Sequence, residues 1–147
     1  MKRTEKENNI LFEKSVNILI NAFVNDNLIN GSCTSCAIGN LLQGYNQIDE
    51  NKVEDNWFSI VHNLLINDIK RYSLAKRQLA KLPYNFDEIE KIEKAFESNK
   101  IKGDYSSIAY QGLLNVIGVL EEIHEIKVQN NLLKTLETHA KRNLQRT

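Results

Sequence analysis

The stretch Gly31-Ser32-Cys33-Thr34-Ser35-Cys36 holds the only two cysteines of the 147-residue chain, in Cys-x-x-Cys spacing. Such a pair can do two kinds of chemistry. With a second cluster of Cys or His it completes a tetrahedral zinc site. At a helix N-terminus, where the dipole lowers the thiol pKa, it forms a redox dithiol. The zinc reading needs partners, and the sequence supplies only His62, His124 and His139, which share no His-x-x-x-His spacing. The redox reading usually belongs to a βαβ unit, and no segment here has that pattern. Packing needs no partner. Cys36, Ala37, Ile38 and Leu41 fall on one face of a short helix, Gly39 permits close approach, and a buried free cysteine behaves as a small hydrophobe. Packing is therefore the favoured reading, with no metal or cofactor expected. A metal or thiol redox module on Cys33 and Cys36 is the alternative.

Other catalytic signatures are missing from the sequence. There is no Gly-x-Ser-x-Gly elbow, phosphate loop, Gly-x-Gly-x-x-Gly turn or His-Glu-x-x-His pair, each of which marks a specific chemistry. Glu121, Glu122 and Glu125 flank His124, but neighbouring acids on a helix usually form a solvated face. No catalytic residue is assigned, and the chain is expected not to be an enzyme.

Charge offers a better candidate. Lys70, Arg71, Lys76, Arg77 and Lys81 occur with no acid among them, and Tyr72 stands between them. Cations for phosphates beside an aromatic platform for a base suit RNA or an RNA–protein complex. At about 100° per residue, Lys70, Arg77 and Lys81 share one face. A second basic group, Lys134, Lys141, Arg142 and Arg146, lies near the C-terminus. The competing reading of both groups is an ordinary solvated surface.

The elements that must carry these residues read as helices. One proline and six glycines leave little material for the frequent turns of an all-β chain. Thr4 and Glu7 have capping-box spacing and open a helix over 4–28, with Phe12, Val16, Leu19, Ile20 and Phe23 inward. Asn30-Gly31 stops it, and a short helix over 35–43 ends at Gly44. Residues 47–56 read as an acidic loop. Trp57, Ile60, Val61, Leu64 and Leu65 then form a stripe continuing through Ile69 toward Tyr72, and 70–82 stays helical until Pro83.

Asn85 and Glu88 make the clearest helix start, followed by the inward stripe Phe86, Ile89, Ile92 and Phe96. A break at 98–104 precedes a helix over 105–126 containing Gly112 and Gly118, where close approach of a neighbour would explain the glycines. A basic C-terminal helix over 129–147 either docks on the rest or extends to a partner. The expected architecture is one all-α domain over 1–147, a compact bundle of five to seven helices.

Balanced charge, nineteen basic against nineteen acidic residues, gives no global field to attract nucleic acid or membrane. No apolar run is long enough to span a bilayer, so a cytoplasmic location is expected, with reduced thiols.

Three segments, Asn21–Asn40, Tyr84–Glu97 and Tyr110–Ile126, resemble a family of small uncharacterised proteins from Bacteroides- and Flavobacterium-type bacteria and their phages. The matching residues are Cys33, Cys36, Ala37, Gly39 and Asn40 in the first, Ile92, Glu93 and Phe96 in the second, and Gly112, Leu113 and Val116 in the third. Ile38 stands where the family has Val, and the basic region 70–81 has no counterpart. Members are sometimes labelled as a subunit of a sodium-translocating NADH-quinone reductase. A flavin and iron–sulfur subunit would need a four-cysteine cluster, and this chain has two cysteines.

The resemblance implies a phage or prophage setting. Combined with small size and local basic faces, it points to a non-catalytic binding protein that occupies a macromolecular target of the bacterial host. The sharpest form of that expectation is an anti-CRISPR-type inhibitor of an RNA-guided defence complex. A virion or housekeeping component is a further alternative.

Overall fold

The computed structural model describes residues 3–29, 36–46, 67–98, 105–128 and 130–145, together with 62 and 65. Six helices run through them: α1 Glu5–Val24, α2 Ala37–Asn46, α3 Ile69–Ala80, α4 Phe86–Glu97, α5 Tyr105–His124 and α6 Asn130–Gln145. The all-α reading holds. No strand occurs among the described residues.

Helix α5 is the axis of the bundle. Its most extensive contact is with α4, the next with α1, while α2 bridges α1 and α4 and α6 lies on α5. The buried apolar side chains form one cluster, in which Leu19, Ile38, Leu41, Ile89, Ile92, Phe96, Leu113 and Leu120 are fully enclosed. The α4–α5 seam is set by a single close approach: a Cβ placed on Gly112 would lie 2.7 Å from the Phe96 ring and 3.0 Å from its carbonyl oxygen. The glycine lets the ring lie against bare helix backbone. Gly118 has nothing within 4 Å of such a Cβ, so close packing does not explain it.

Several helix ends differ from those expected. α1 stops at Val24, before residue 28, because Asp26 turns left-handed at φ 58°. Asn27 N–H then reaches the Ala22 carbonyl at 2.7 Å and Asp26 N–H the Phe23 carbonyl at 3.1 Å, the paired bonds of a Schellman cap. The end of α5 repeats the device, with Glu125 at φ 56° and Ile126 N–H bonded to the Glu121 carbonyl. Neither stop uses glycine, the residue that most readily takes this conformation.

Gly44 does not end α2, which runs on to Asn46. It lies instead against α1, where a Cβ would come within 2.5 Å of Ile18. Glycine for close approach and glycine for termination look alike in sequence, which is why the expected end at Gly44 differs from the observed one.

The stripe expected to run through Leu65 and Ile69 to Tyr72 is not buried. Leu65 is 81% exposed and Ile69 85%. Asp68 explains the break: its Oδ1 accepts from Lys70 N–H at 3.0 Å and Arg71 N–H at 3.3 Å, starting a new helix. That helix, α3, meets the body through Ala75 and Leu79, with Leu82 buried just after it. The loop expected at 47–56, Trp57, Ile60, Val61 and Leu64 lie outside the described residues. Phe86, expected inward, is 44% exposed. It opens α4 at a point rotated off the line of Ile89, Ile92 and Phe96. The expected capping box is present, Glu88 N–H on Asn85 Oδ1 at 2.8 Å and Asn85 N–H on Glu88 Oε1 at 2.9 Å.

The C-terminal helix docks. Leu136 of α6 is 1% exposed, Leu132 packs against the core, and His139 meets the Phe23 ring edge-on at 5.5 Å. No helix among the described residues is long and apolar enough to cross a membrane.

The two glycines of α5 should respond oppositely to one substitution. Gly112→Ala forces Phe96 or its backbone to move and is expected to destabilise by about 1–3 kcal/mol. Gly118→Ala meets no neighbour and is expected to stabilise by up to about 1 kcal/mol through helix propensity. Urea unfolding of both variants checks this pair.

Candidate functional site

Cys36 sits at the N-cap of α2 and is buried; it is not within the helix as expected. Its sulfur accepts Gly39 N–H at 3.3 Å. Glu93 of α4 approaches from the side, and its Oε2 accepts Ile38 N–H at 3.2 Å. A carboxylate from another helix thus supplies part of the cap that a helix start needs. Asn40, one turn in, donates from Nδ2 to the Cys36 carbonyl and to the Asn27 carbonyl, both at 3.0 Å. It ties the end of the α1 segment to the start of α2. The residues Cys36 to Asn40 therefore build a tethered helix start, with Ala37, Ile38 and Gly39 all buried in it.

This setting opposes thiolate chemistry at Cys36. Burial pushes the thiol well above its usual range, and the Glu93 carboxylate pushes it further. Burial likewise lifts the Glu93 carboxyl to about 7, although the Ile38 N–H favours its charged form. A reactive cysteine needs an electropositive, accessible surrounding, and Cys36 has an acidic, closed one. Cys33 lies outside the described residues. His62 is exposed, His124 buried and His139 on α6. No group of three or more metal-ligating side chains occurs among the described residues.

The buried polar chain centred on His124 was not anticipated. Asn8 Nδ2 donates to the His124 carbonyl at 2.7 Å, which turns Asn8 Oδ1 toward the imidazole Nδ1 at 2.8 Å. An amide oxygen can only accept, so Nδ1 carries the proton and Nε2 accepts from the Tyr84 hydroxyl at 2.8 Å. Tyr84 in turn accepts from Ser15 at 2.6 Å. Tyr45 lies 2.7 Å from Ser15 and 3.2 Å from the Leu11 carbonyl.

Serine, histidine and asparagine are all present, yet they are not a nucleophile and its base. Tyr84 stands between Ser15 and His124, and Ser15 is fully enclosed. The chain links α1, α2, the segment before α4 and the end of α5. Burial holds His124 down to about 4, aided by the Arg3 charge, and raises Tyr84. Sequence gave one usable clue: buried histidines and tyrosines must find partners, but the partners lie up to 116 positions away.

The basic residues of α3 divide into two groups. Lys70, Arg71 and Arg77 on α3, and Lys81 just past it, are exposed. No carboxylate of a described residue lies within ion-pairing distance of them. Tyr72 and Lys76 instead line a groove with Leu79, Ala80, Tyr84, Phe86 and Ile89, the Lys76 ammonium standing 5.5 Å from the Tyr72 ring centre. The second basic group is described only in part. Lys134 is exposed on α6, Lys141 and Arg142 fall on its backbone, and Arg146 lies outside the described residues.

No family model, curated protein or solved structure matches this chain. The start of α2, helix α4 and helix α5 meet in space. Glu93 caps the Cys36–Asn40 turn, and Phe96 of the same helix rests on Gly112.

Two measurements follow. In a Cys33→Ser variant, Cys36 is expected to react with a thiol reagent only at the rate of unfolding; rapid modification in the native state would contradict the closed setting. Stability should also depend on pH through two opposed groups. The unfolded chain binds a proton on His124 below its usual 6.5 that the folded chain refuses until about 4, so this group makes stability rise with pH over that window. Glu93 keeps its proton up to about 7 in the fold against 4.5 when free, so it makes stability fall between those values. Thermal melts of Glu93→Gln should lose the falling contribution and show a steeper rise from pH 4.5 to 6.5 than the parent.

Proposed function

We propose that this chain is a non-catalytic binding protein that engages a macromolecular partner through the outer flank of α3. One observation carries the reading: Lys70, Arg71, Arg77 and Lys81 form an exposed basic surface that no carboxylate of a described residue neutralises, on a helix anchored to the body by few side chains. A surface needed for folding would be buried or paired; this one is exposed, and no carboxylate of a described residue pairs with it. Three cations on one short helix and a fourth just past its end suit a phosphate backbone, whose binding is strongly salt-dependent. An RNA-bearing protein complex of a bacterial host is the target class that this chemistry fits. Occupation of the RNA path of a guide-carrying defence complex is its sharpest form, supported by the small helical body, the basic flank and the resemblance to phage-associated proteins.

The test is affinity purification from the native host with both protein and RNA identified, in parallel with a variant carrying Lys70→Glu, Arg71→Glu, Arg77→Glu and Lys81→Glu. The parent is expected to retain an RNA-containing complex that the variant loses, with retention weakening as salt rises. Equal capture by the variant would remove the role assigned to this flank.

A further inference from the structure

The polar chain through His124 crosses the core from a half-buried end to an enclosed one. Tyr45 is partly exposed, whereas Ser15, Tyr84 and His124 are all buried. Between the Tyr45 end and the imidazole stand only hydroxyls, each able to donate one hydrogen and to accept. With Nδ1 protonated toward Asn8, the donors run toward the imidazole: Ser15 gives its hydrogen to Tyr84, and Tyr84 gives its own to Nε2. Because the Ser15 hydrogen is spent, the 2.7 Å contact with Tyr45 is closed by the Tyr45 hydrogen.

The opposite direction is also complete, with the same oxygens in the same places. A protonated Nε2 donates to Tyr84, Tyr84 to Ser15, and Ser15 to Tyr45. That leaves the Tyr45 hydrogen in need of an acceptor, and the Leu11 carbonyl supplies one at 3.2 Å. Tyr45 thus has two acceptors within reach, one for each direction. Neither arrangement leaves a buried donor unmatched, the condition that buried polar groups must meet.

We propose that these side chains form a reversible proton relay, which takes a proton in at Tyr45 and holds it on His124 while the bundle stays folded. The transfer balances. Hydronium gives a proton to the Tyr45 oxygen, the Tyr45 hydrogen passes to Ser15, the Ser15 hydrogen to Tyr84 and the Tyr84 hydrogen to Nε2. Each hydroxyl breaks one O–H bond and forms another, one N–H bond forms on the imidazole, and no electrons are exchanged.

The surrounding groups set how acidic the solution must be. Burial is the largest cost of charging the imidazole; the Arg3 guanidinium, 5.7 Å from the Tyr84 ring centre, adds to it, and Glu88 on α4 offsets it. The α1 side chains against the ring, Asn8 and Phe12, are uncharged. On α5 itself Glu121 is engaged by Val128 N–H and Lys127, and Glu122 and Glu125 are exposed. At the entry the Lys14 ammonium stands 4.5 Å from the Tyr45 ring centre.

Nitrogen NMR of the histidine side chains in the full chain, from neutral pH down to about pH 3, tests this over the range in which an imidazole of lowered pKa charges. The parent is expected to show the Nδ1–H tautomer at neutral pH and a doubly protonated His124 below about 4, with the dispersed amide spectrum of the native fold in both. Ser15→Ala keeps the Tyr84–His124 bond of the neutral state but leaves the Tyr84 hydrogen without an acceptor in the reversed one. Its midpoint is therefore expected to fall by about one pH unit, the size that one unmade buried hydrogen bond implies. Tyr45→Phe closes the entry and is expected to replace the single averaged imidazole signal of the parent by separate neutral and charged signals.

A parent whose His124 charges only as the amide dispersion collapses would overturn the proposal, as would a folded Ser15→Ala variant with an unchanged midpoint. Averaging retained in Tyr45→Phe would remove Tyr45 as the entry. The parent titration and Tyr45→Phe decide the matter without Ser15→Ala should that variant not fold.

Discussion

The contact between Phe96 and the bare backbone of Gly112 governs how the rest of the bundle is arranged. It draws α4 onto α5 closely enough for Ile89 and Ile92 to reach the same core as Leu113 and Leu120. It also fixes the position of Glu93, one turn back along α4 from Phe96, where the carboxylate meets the start of α2. A packing decision on one seam therefore places an electrostatic cap on another. Interiors packed at near-crystalline density pass such constraints along because little slack remains to absorb them.

The polar chain from Asn8 through His124, Tyr84 and Ser15 to Tyr45 works against this apolar economy and gives it direction. Each member is buried or half-buried and would be costly to leave unmatched. Because Asn8 fixes the imidazole tautomer, the donors run in one direction from Ser15 through Tyr84 to His124, and a shifted register between α1 and α5 would break that order. Apolar contacts alone tolerate small slips; a hydrogen-bonded relay of this length does not. The same low dielectric that makes the chain specific also holds His124 neutral and leaves Glu93 poised near neutrality.

Much of the fold was legible from the sequence because its signals are local. The capping box at Asn85 and Glu88, the stripe Ile89, Ile92 and Phe96, and the all-α class follow from periodicity and turn chemistry over a few residues. What was illegible depends on tertiary partners. Glycine at 44 and 112 serves close approach, while the stops at Asp26 and Glu125 use residues that sequence rules do not favour there. The apolar residues Leu65, Ile69 and Phe86 match a buried stripe yet face outward, since periodicity reports that a face is apolar and not what covers it. The basic flank of α3 was readable as a cluster, but its division from Tyr72 and Lys76 required the groove.

Helix α3 stands on Ala75, Leu79 and the turn at Leu82, and most of its remaining side chains are exposed. Substitutions on a surface the core does not use typically change stability by less than about 0.5 kcal/mol. Its outer residues can therefore drift with little penalty to folding, while α1, α2, α4 and α5 are held by mutual packing. The surface chemistry of α3 and the packing of the body are thus placed under separate selection within one chain, and a lineage could alter the first repeatedly without rebuilding the second.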